Sequence, residues 1–157
     1  MKKSDIDKAV FIFVYGSLKR GFFNSGLLSK EKLIAKAITD EKYCLYPSYS
    51  YWYPYAIEKD KNFQILGELY ELKSIDISAI DELEDAPQYY YRKIIDVTCD
   101  NKKYKAYMYF KNENSDDSEY DTNIAMKTWI KEFENVAKIN DEFTEAYHST
   151  LRILKKS

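Results

Sequence analysis

The stretch AVFIFVY, from Ala9 to Tyr15, constrains the fold of this chain most, because its apolar character is unbroken and stops abruptly at Gly16. Continuous apolarity over this length suits a β-strand covered on both faces. Gly16 then admits backbone torsions that a Cβ would forbid, and the chain continues as SLKRG, a run of hydroxyl and basic groups. A buried strand therefore empties into a polar turn. Successive N–H groups in such a turn can converge on one anion, and the plainer alternative is a tight turn after a core strand.

A second informative segment is SIDISAIDELEDAPQYYYR, residues 74–92. It reads as a short helix, capped by Asp76 or Ser74, closed by Pro87 and followed by a tyrosine-rich strand. At about 100° per residue, Ile77, Ile80 and Leu83 mark one apolar face and Glu84 projects between Ile77 and Ile80. Asp81 falls on the border of that face, and Glu82 points away from it. Burial and the negative end of the helix dipole both disfavour a carboxylate at position 84, so its pKa is expected to rise. A Glu moved toward about 6 to 7 can accept and return a proton near neutral pH. The competing reading is a frayed last turn, with Glu84 in solvent or paired with Arg92.

Together these segments resemble the γ-glutamylcyclotransferase superfamily, in particular its small γ-glutamylamine cyclotransferase and AIG2-like branch. The resemblance rests on FVYGSLKRG with Asn24 shortly after it, on ILGELYEL at residues 65–72, and on IDELEDAPQYYYR at residues 80–92. It implies an α+β fold built on a small mixed β-barrel with flanking short helices and a substrate cavity at one mouth. It also implies release of 5-oxoproline from a small-molecule γ-glutamyl compound, without a metal or organic cofactor. Carried over by position, the substrate-cradling loop falls on Tyr15, Gly16, Ser17 and Leu18, and the catalytic acid on Glu84. Two other functions remain compatible with the chain: a non-catalytic binding module on the same barrel, and removal of a γ-glutamyl group from a biosynthetic intermediate.

Composition narrows the classes further. The 157 residues suit one domain, with a core at about 9–111 and a helical extension at about 121–155. A formal net charge of −2 leaves no electrostatic footprint for nucleic acid or an anionic membrane surface. No apolar stretch approaches the length of a membrane span, and Met1 to Lys8 is too polar and short for a secretory signal, so a cytoplasmic protein is expected. Cys44 and Cys99 sit on separate predicted strands with the spacing of neither a zinc site nor a disulfide framework, and read as buried thiols. Oligomeric state is not legible.

Between the two motifs, a helical turn is expected near residues 24–29 and a strand region over 33–46. The tyrosine-rich YPSYSYWYPYAI, residues 46–57, reads either as an aromatic platform or as barrel-rim padding, with Pro47 and Pro54 marking irregular backbone. Pro54 also matches a proline beside the cavity in the resembling family. Strands are expected over 90–98 and 103–110, joined by a turn at Asp100 and Asn101. In the second of these, Tyr104, Ala106, Met108 and Phe110 share one face. Residues 111–121 read as a polar loop in which Asp117, Glu119 and Asp121 lack the Gly and closing Glu of a calcium loop. Amphipathic helices follow over 124–138 and 141–154, the second carrying His148, the single histidine. Packing of this pair on the barrel, coverage of the cavity and contact with another subunit are all open.

Overall fold

The computed structural model describes residues 9–16, 19, 25–84, 86–112, 120–133, 135–139 and 141. Its strands are β1 (Phe11–Val14), β2 (Lys32–Pro47), β3 (Pro54–Ile57), β4 (Phe63–Glu71), β5 (Tyr90–Cys99) and β6 (Lys102–Lys111), with one helix, α1 (Ile77–Leu83), between β4 and β5. They join in the order β3-β2-β4-β1-β6-β5, and β2 also pairs with β5. That last pairing closes five strands into a barrel and leaves β3 on the outside of β2. The β1–β6 pair is parallel and the other pairs are antiparallel, so the barrel is mixed, as the resemblance implies.

Closure depends on the length and bending of β2. Its register against β4 shifts between Leu33 and Ala35 and again between Ile38 and Lys42. Such irregularities bend a strand and tighten its twist. Bent in this way, β2 pairs with β4 along most of its length, with β5 through Ile38 and Thr39, and with β3 through residues 44–47.

Strand β1 is buried on both faces, as its uninterrupted apolar run requires. Phe13 and Tyr15 join the barrel interior with Leu45, Ile65, Leu69, Val97, Met108 and Phe110, while Ile12 and Val14 join an outer cluster with Ile80, Tyr55, Tyr90 and Tyr109. Gly67 of β4 lies against this strand. A Cβ there would come within 2.4 Å of the Val14 carbonyl oxygen and 2.7 Å of the Phe13 ring. Cys44 and Cys99 are free and buried in these layers.

The β5–β6 hairpin turns at Asp100 and Asn101, both with positive φ, the conformation that matches the twist of the flanking strands in a two-residue turn. Two expectations need correction nearby. Lys111 ends β6 at 1% exposure instead of opening a polar loop. Pro54, read as a sign of irregular backbone, opens β3, where a strand's first residue tolerates a missing N–H.

The expected helix over 124–138 begins later, with helical residues at 132–133 and 135–139. Before it, the backbone is committed to the barrel. Met126 exchanges both of its main-chain hydrogen bonds with Leu45, at 3.0 and 2.9 Å, and Leu66 donates to the Lys127 carbonyl at 2.8 Å. The Met126 N–H spent on Leu45 is unavailable to the carbonyl four residues before it, as a helix would require. Tyr120 bridges Ser48, with the Asp121 N–H donating to the Pro47 carbonyl at 2.9 Å. Residues 120–129 thus pack within the chain on β2 and β4. The second predicted helix, His148, and Asp117 and Glu119 lie outside the described residues.

Gly67→Ala is expected to lower stability by about 3 kcal/mol, the upper range for overpacking, because the obstructing atom is backbone. Denaturant titration checks it. An unchanged midpoint would mean that β1 and β4 part without cost.

Candidate active site

Helix α1 is set on the barrel by polar clamps at its start and an apolar anchor in its middle. Asp76 takes the N-cap position and accepts from the Ser78 N–H at 3.2 Å. Ser74, the other capping candidate, instead donates its hydroxyl to Glu31, which also accepts from the N–H groups of Lys73, Ser74 and Ile75. Burial raises the Glu31 pKa, but these hydrogen bonds overcome it and bring it down to about 2. A charged carboxylate therefore staples the segment leading into α1 to the residue before β2.

Within α1, Ile80 is fully buried, whereas Leu83 is 54% exposed. The apolar face is accordingly narrower than the spacing implies. Seven residues make only two turns, and Ile80 is their buried centre. Glu84 follows as the C-cap, its N–H donating to the Ile80 carbonyl at 2.9 Å. That bond holds position 84 in line with the helix instead of letting it fray.

The carboxyl of Glu84 has no hydrogen bond or ion pair among the described residues. Burial pushes its pKa up to about 7. Three phenols from three strands lie within its field: Tyr15 beside β1, Tyr90 of β5 and Tyr109 of β6. Burial raises each of their pKa values, and the nearby Glu84 charge raises them further. The structure thus brings Glu84 and Tyr15 together, although they are 69 positions apart in the chain.

Arg92 is not the partner of Glu84. Its Nε donates to both oxygens of Asp81, at 2.9 and 3.1 Å, and its guanidinium lies 4.6 Å from the Tyr107 ring centroid. Asp81 also accepts from the Tyr109 hydroxyl at 2.6 Å. The Tyr109 main-chain carbonyl in turn accepts from the Tyr15 hydroxyl at 2.6 Å. Arg92, Asp81, Tyr109 and Tyr15 therefore form one connected chain of hydrogen bonds past the free carboxyl. Sequence reasoning placed Asp81 on the border of the buried face and gave it no role. The signal available was its spacing, three residues before Glu84 on one helix face.

Gly16 follows Tyr15 and is buried against β3. A Cβ at this position would come within 2.9 Å of Pro54 Cδ. Ser17 and Leu18, the rest of the expected cradle, lie outside the described residues. Lys19 beyond them is buried and donates its ammonium to the Trp129 carbonyl at 2.5 Å, so the segment after β6 reaches this residue. Burial lowers the Lys19 pKa. The tyrosine-rich region supplies a wall further out. The Lys111 ammonium sits 5.4 to 5.6 Å from the ring centroids of Tyr55, Tyr89 and Tyr120, and the hydroxyls of Tyr55 and Tyr89 share a hydrogen bond. These rings pad the barrel instead of forming an exposed platform.

A closed five-stranded mixed barrel with few helices defines a class of small α+β barrels, and known proteins share that fold. The sequence pattern described as "Gamma-glutamyl cyclotransferase, AIG2-like" matches residues 12–131. A provisionally named γ-glutamylcyclotransferase of Methanocaldococcus jannaschii is 40% identical over 102 residues, covering 64% of this chain and 82% of that one. Another so named, from Drosophila melanogaster, is 34% identical over 91 residues, covering 54% of this chain and 58% of its own. The crystal structure of an AIG2-like protein from Mus musculus shares the fold, with a TM-score of 0.63, 22% identity, and coverage of 72% of this chain and 88% of that one. The chain belongs to the γ-glutamyl cyclotransferase, AIG2-like family.

The raised pKa carries a linkage consequence. The folded state binds a proton at Glu84 between its ordinary value of 4.5 and about 7, where the unfolded chain does not. The stability this contributes is complete below 4.5 and is lost as pH climbs through 7. Glu84→Gln should remove that slope, leaving the variant more stable than the parent at pH 8 by up to about 3 kcal/mol. Urea midpoints at pH 5 and pH 8 for both proteins measure it, and parallel shifts in the two would contradict a buried, titrating Glu84.

Proposed function

We propose that this protein cyclises a small γ-glutamyl compound, releasing 5-oxoproline and a free amine, with Glu84 as the proton carrier. The observation that supports it is the carboxyl of Glu84, buried without a hydrogen-bonding or ionic partner among the described residues and titrating near neutrality beside Tyr15. Membership of the family supports the reaction type.

The substrate brings its own nucleophile. Its α-amino nitrogen sits at the distance from the γ-carbonyl carbon that closes a five-membered ring, so proximity is built into the substrate. Glu84, ionised, takes a proton from that nitrogen as the new C–N bond forms. The carbonyl oxygen becomes an oxyanion, which N–H groups of the turn from Gly16 to Leu18 are suited to receive; the same groups suit the substrate's α-carboxylate equally well. Collapse of the tetrahedral intermediate breaks the original C–N bond. The proton held on Glu84 passes to the departing nitrogen, and the carboxylate is restored. A single acid with a pKa close to the working pH serves both transfers.

Tyr15 has a supporting part in this scheme. Its hydroxyl proton is committed to the Tyr109 carbonyl, so it acts as a fixed wall that orients the Gly16 turn. Ser17 is assigned to the cradle by the family resemblance, through its hydroxyl or the turn it completes.

Glu84→Gln is expected to reduce kcat for 5-oxoproline formation by about 1,000-fold with little change in KM, since the amide keeps the shape but carries no proton. Purified protein incubated with γ-glutamyl amines, γ-glutamyl dipeptides and glutathione, with 5-oxoproline assayed, provides the measurement. A Gln variant as active as the parent would sink the assignment, and a parent inert on every γ-glutamyl compound would favour a binding module. For the active parent, kcat/KM should rise with pH through a midpoint near 7, because the free enzyme must hold Glu84 ionised to accept the first proton.

A further inference from the structure

Helix α1 presents two acids toward the barrel end, and the barrel treats them oppositely. Asp81 receives everything polar that is near: the guanidinium of Arg92 on both oxygens and the hydroxyl of Tyr109 on one. Glu84, three residues on, receives nothing among the described residues. The groups that face Glu84 are Tyr15 from beside β1, Tyr90 from β5 and Tyr109 from β6, with Asp81 on its own helix. None of the facing phenols is a cation, and none of the three donates a hydrogen bond to it.

Arg92 is nevertheless close by. The Tyr109 phenol feels the charges of Asp81, Arg92 and Glu84 together. Asp81 and Glu84 stand three residues apart, at the end of one helix, so the guanidinium held on Asp81 at 2.9 Å stays in the neighbourhood of the free carboxyl and is restrained from it by that bond. The side chain of Arg92 is one-third exposed, which leaves it room to swing once released.

We infer that Asp81 is a positioning residue whose task is to hold Arg92 and Tyr109 away from Glu84, so that the proton carrier stays without a counter-ion. A charge-assisted hydrogen bond from the Arg92 Nε shared by both Asp81 oxygens is stronger than a neutral one, which suits it to withholding a cation. A guanidinium that moved to within about 4 to 6 Å of Glu84 would favour its anion by about 1 to 3 pH units and leave a carboxylate too weakly basic to take a proton at neutral pH. The inference rests on the reading of Glu84 as proton carrier, but its test does not need turnover.

The titration of Glu84 itself decides it, followed by carbon-13 NMR of the side-chain carboxyl and assigned through Glu84→Gln. Asp81→Asn keeps an acceptor for the Tyr109 hydroxyl and removes the charge that holds Arg92. Its Glu84 midpoint should fall by about one unit or more. The double variant D81N/R92Q should return the midpoint to within about half a unit of the parent, since no cation remains to be released. Arg92→Gln alone should leave it unmoved. In the pH profile of kcat/KM, the rising limb should shift with the titration in each variant.

A midpoint that stays put in D81N would overturn the inference. So would a fall that persists in the double variant, because that result means a loosened helix letting water reach Glu84. A rise in R92Q alone would also overturn it, by showing that Arg92 already acts on Glu84; this variant covers the case in which D81N does not fold. A protein that releases no 5-oxoproline but gives the predicted titrations would retire the catalytic reading and leave the sequestration intact.

Discussion

Strand β1 can lie between β4 and β6 only because position 67 carries no side chain, and the arrangement at the barrel end follows from that placement. The Val14 carbonyl and the Phe13 ring occupy the space a Cβ would need. With β1 seated, its interior residues meet those of β4 and β6, and its exterior residues meet Ile80 of α1. The chain then leaves the strand at Tyr15 and Gly16 on the side where α1 ends. A barrel of five strands is small, so Tyr15 at the end of its first strand lies within the field of Glu84 at the end of α1.

Within that neighbourhood, two carboxyl groups of one helix are given different hydrogen-bonding surroundings. Asp81 accepts from the Arg92 Nε on both oxygens and from a phenol, and Glu84 is buried near three phenols with no hydrogen bond among the described residues. Here the difference is made by hydrogen bonds from β5 and β6, so the sheet assigns the roles that the helix alone leaves open. The Glu31 clamp adds rigidity from the other end, tying the segment before α1 to the start of β2 through three N–H groups and a hydroxyl.

The segment after β6 is part of the same construction. Met126 and Lys127 spend their main-chain groups on β2 and β4, and the Trp129 carbonyl receives the Lys19 ammonium. Residues distant in sequence thus brace the far end of the turn that follows β1. Trp129 is 1% exposed and its ring stacks on Phe133, which in turn stacks on Tyr51. The tyrosine-rich stretch is held between the barrel and this segment. That accounts for an aromatic composition that, with the segment viewed alone, reads either as a platform or as barrel-rim padding.

The sequence by itself determined the parts governed by local or periodic rules. Continuous apolarity made β1 a strand with two buried faces, alternation put Ala106, Met108 and Phe110 inside, and Asp100 with Asn101 turned the hairpin. The projection of Glu84 between Ile77 and Ile80 singled out the acid, because burial on a helix follows a fixed angular step. Tertiary structure alone decided the partners. The sequence leaves Arg92 able to serve either acid, and only the closed barrel shows it bound to Asp81. Residues 124–131 have helical spacing, yet main-chain groups taken by β2 and β4 overrule it. Hydrogen bonds between distant segments leave no periodic trace in a chain, so the geometry that isolates Glu84 becomes visible only once the barrel is closed.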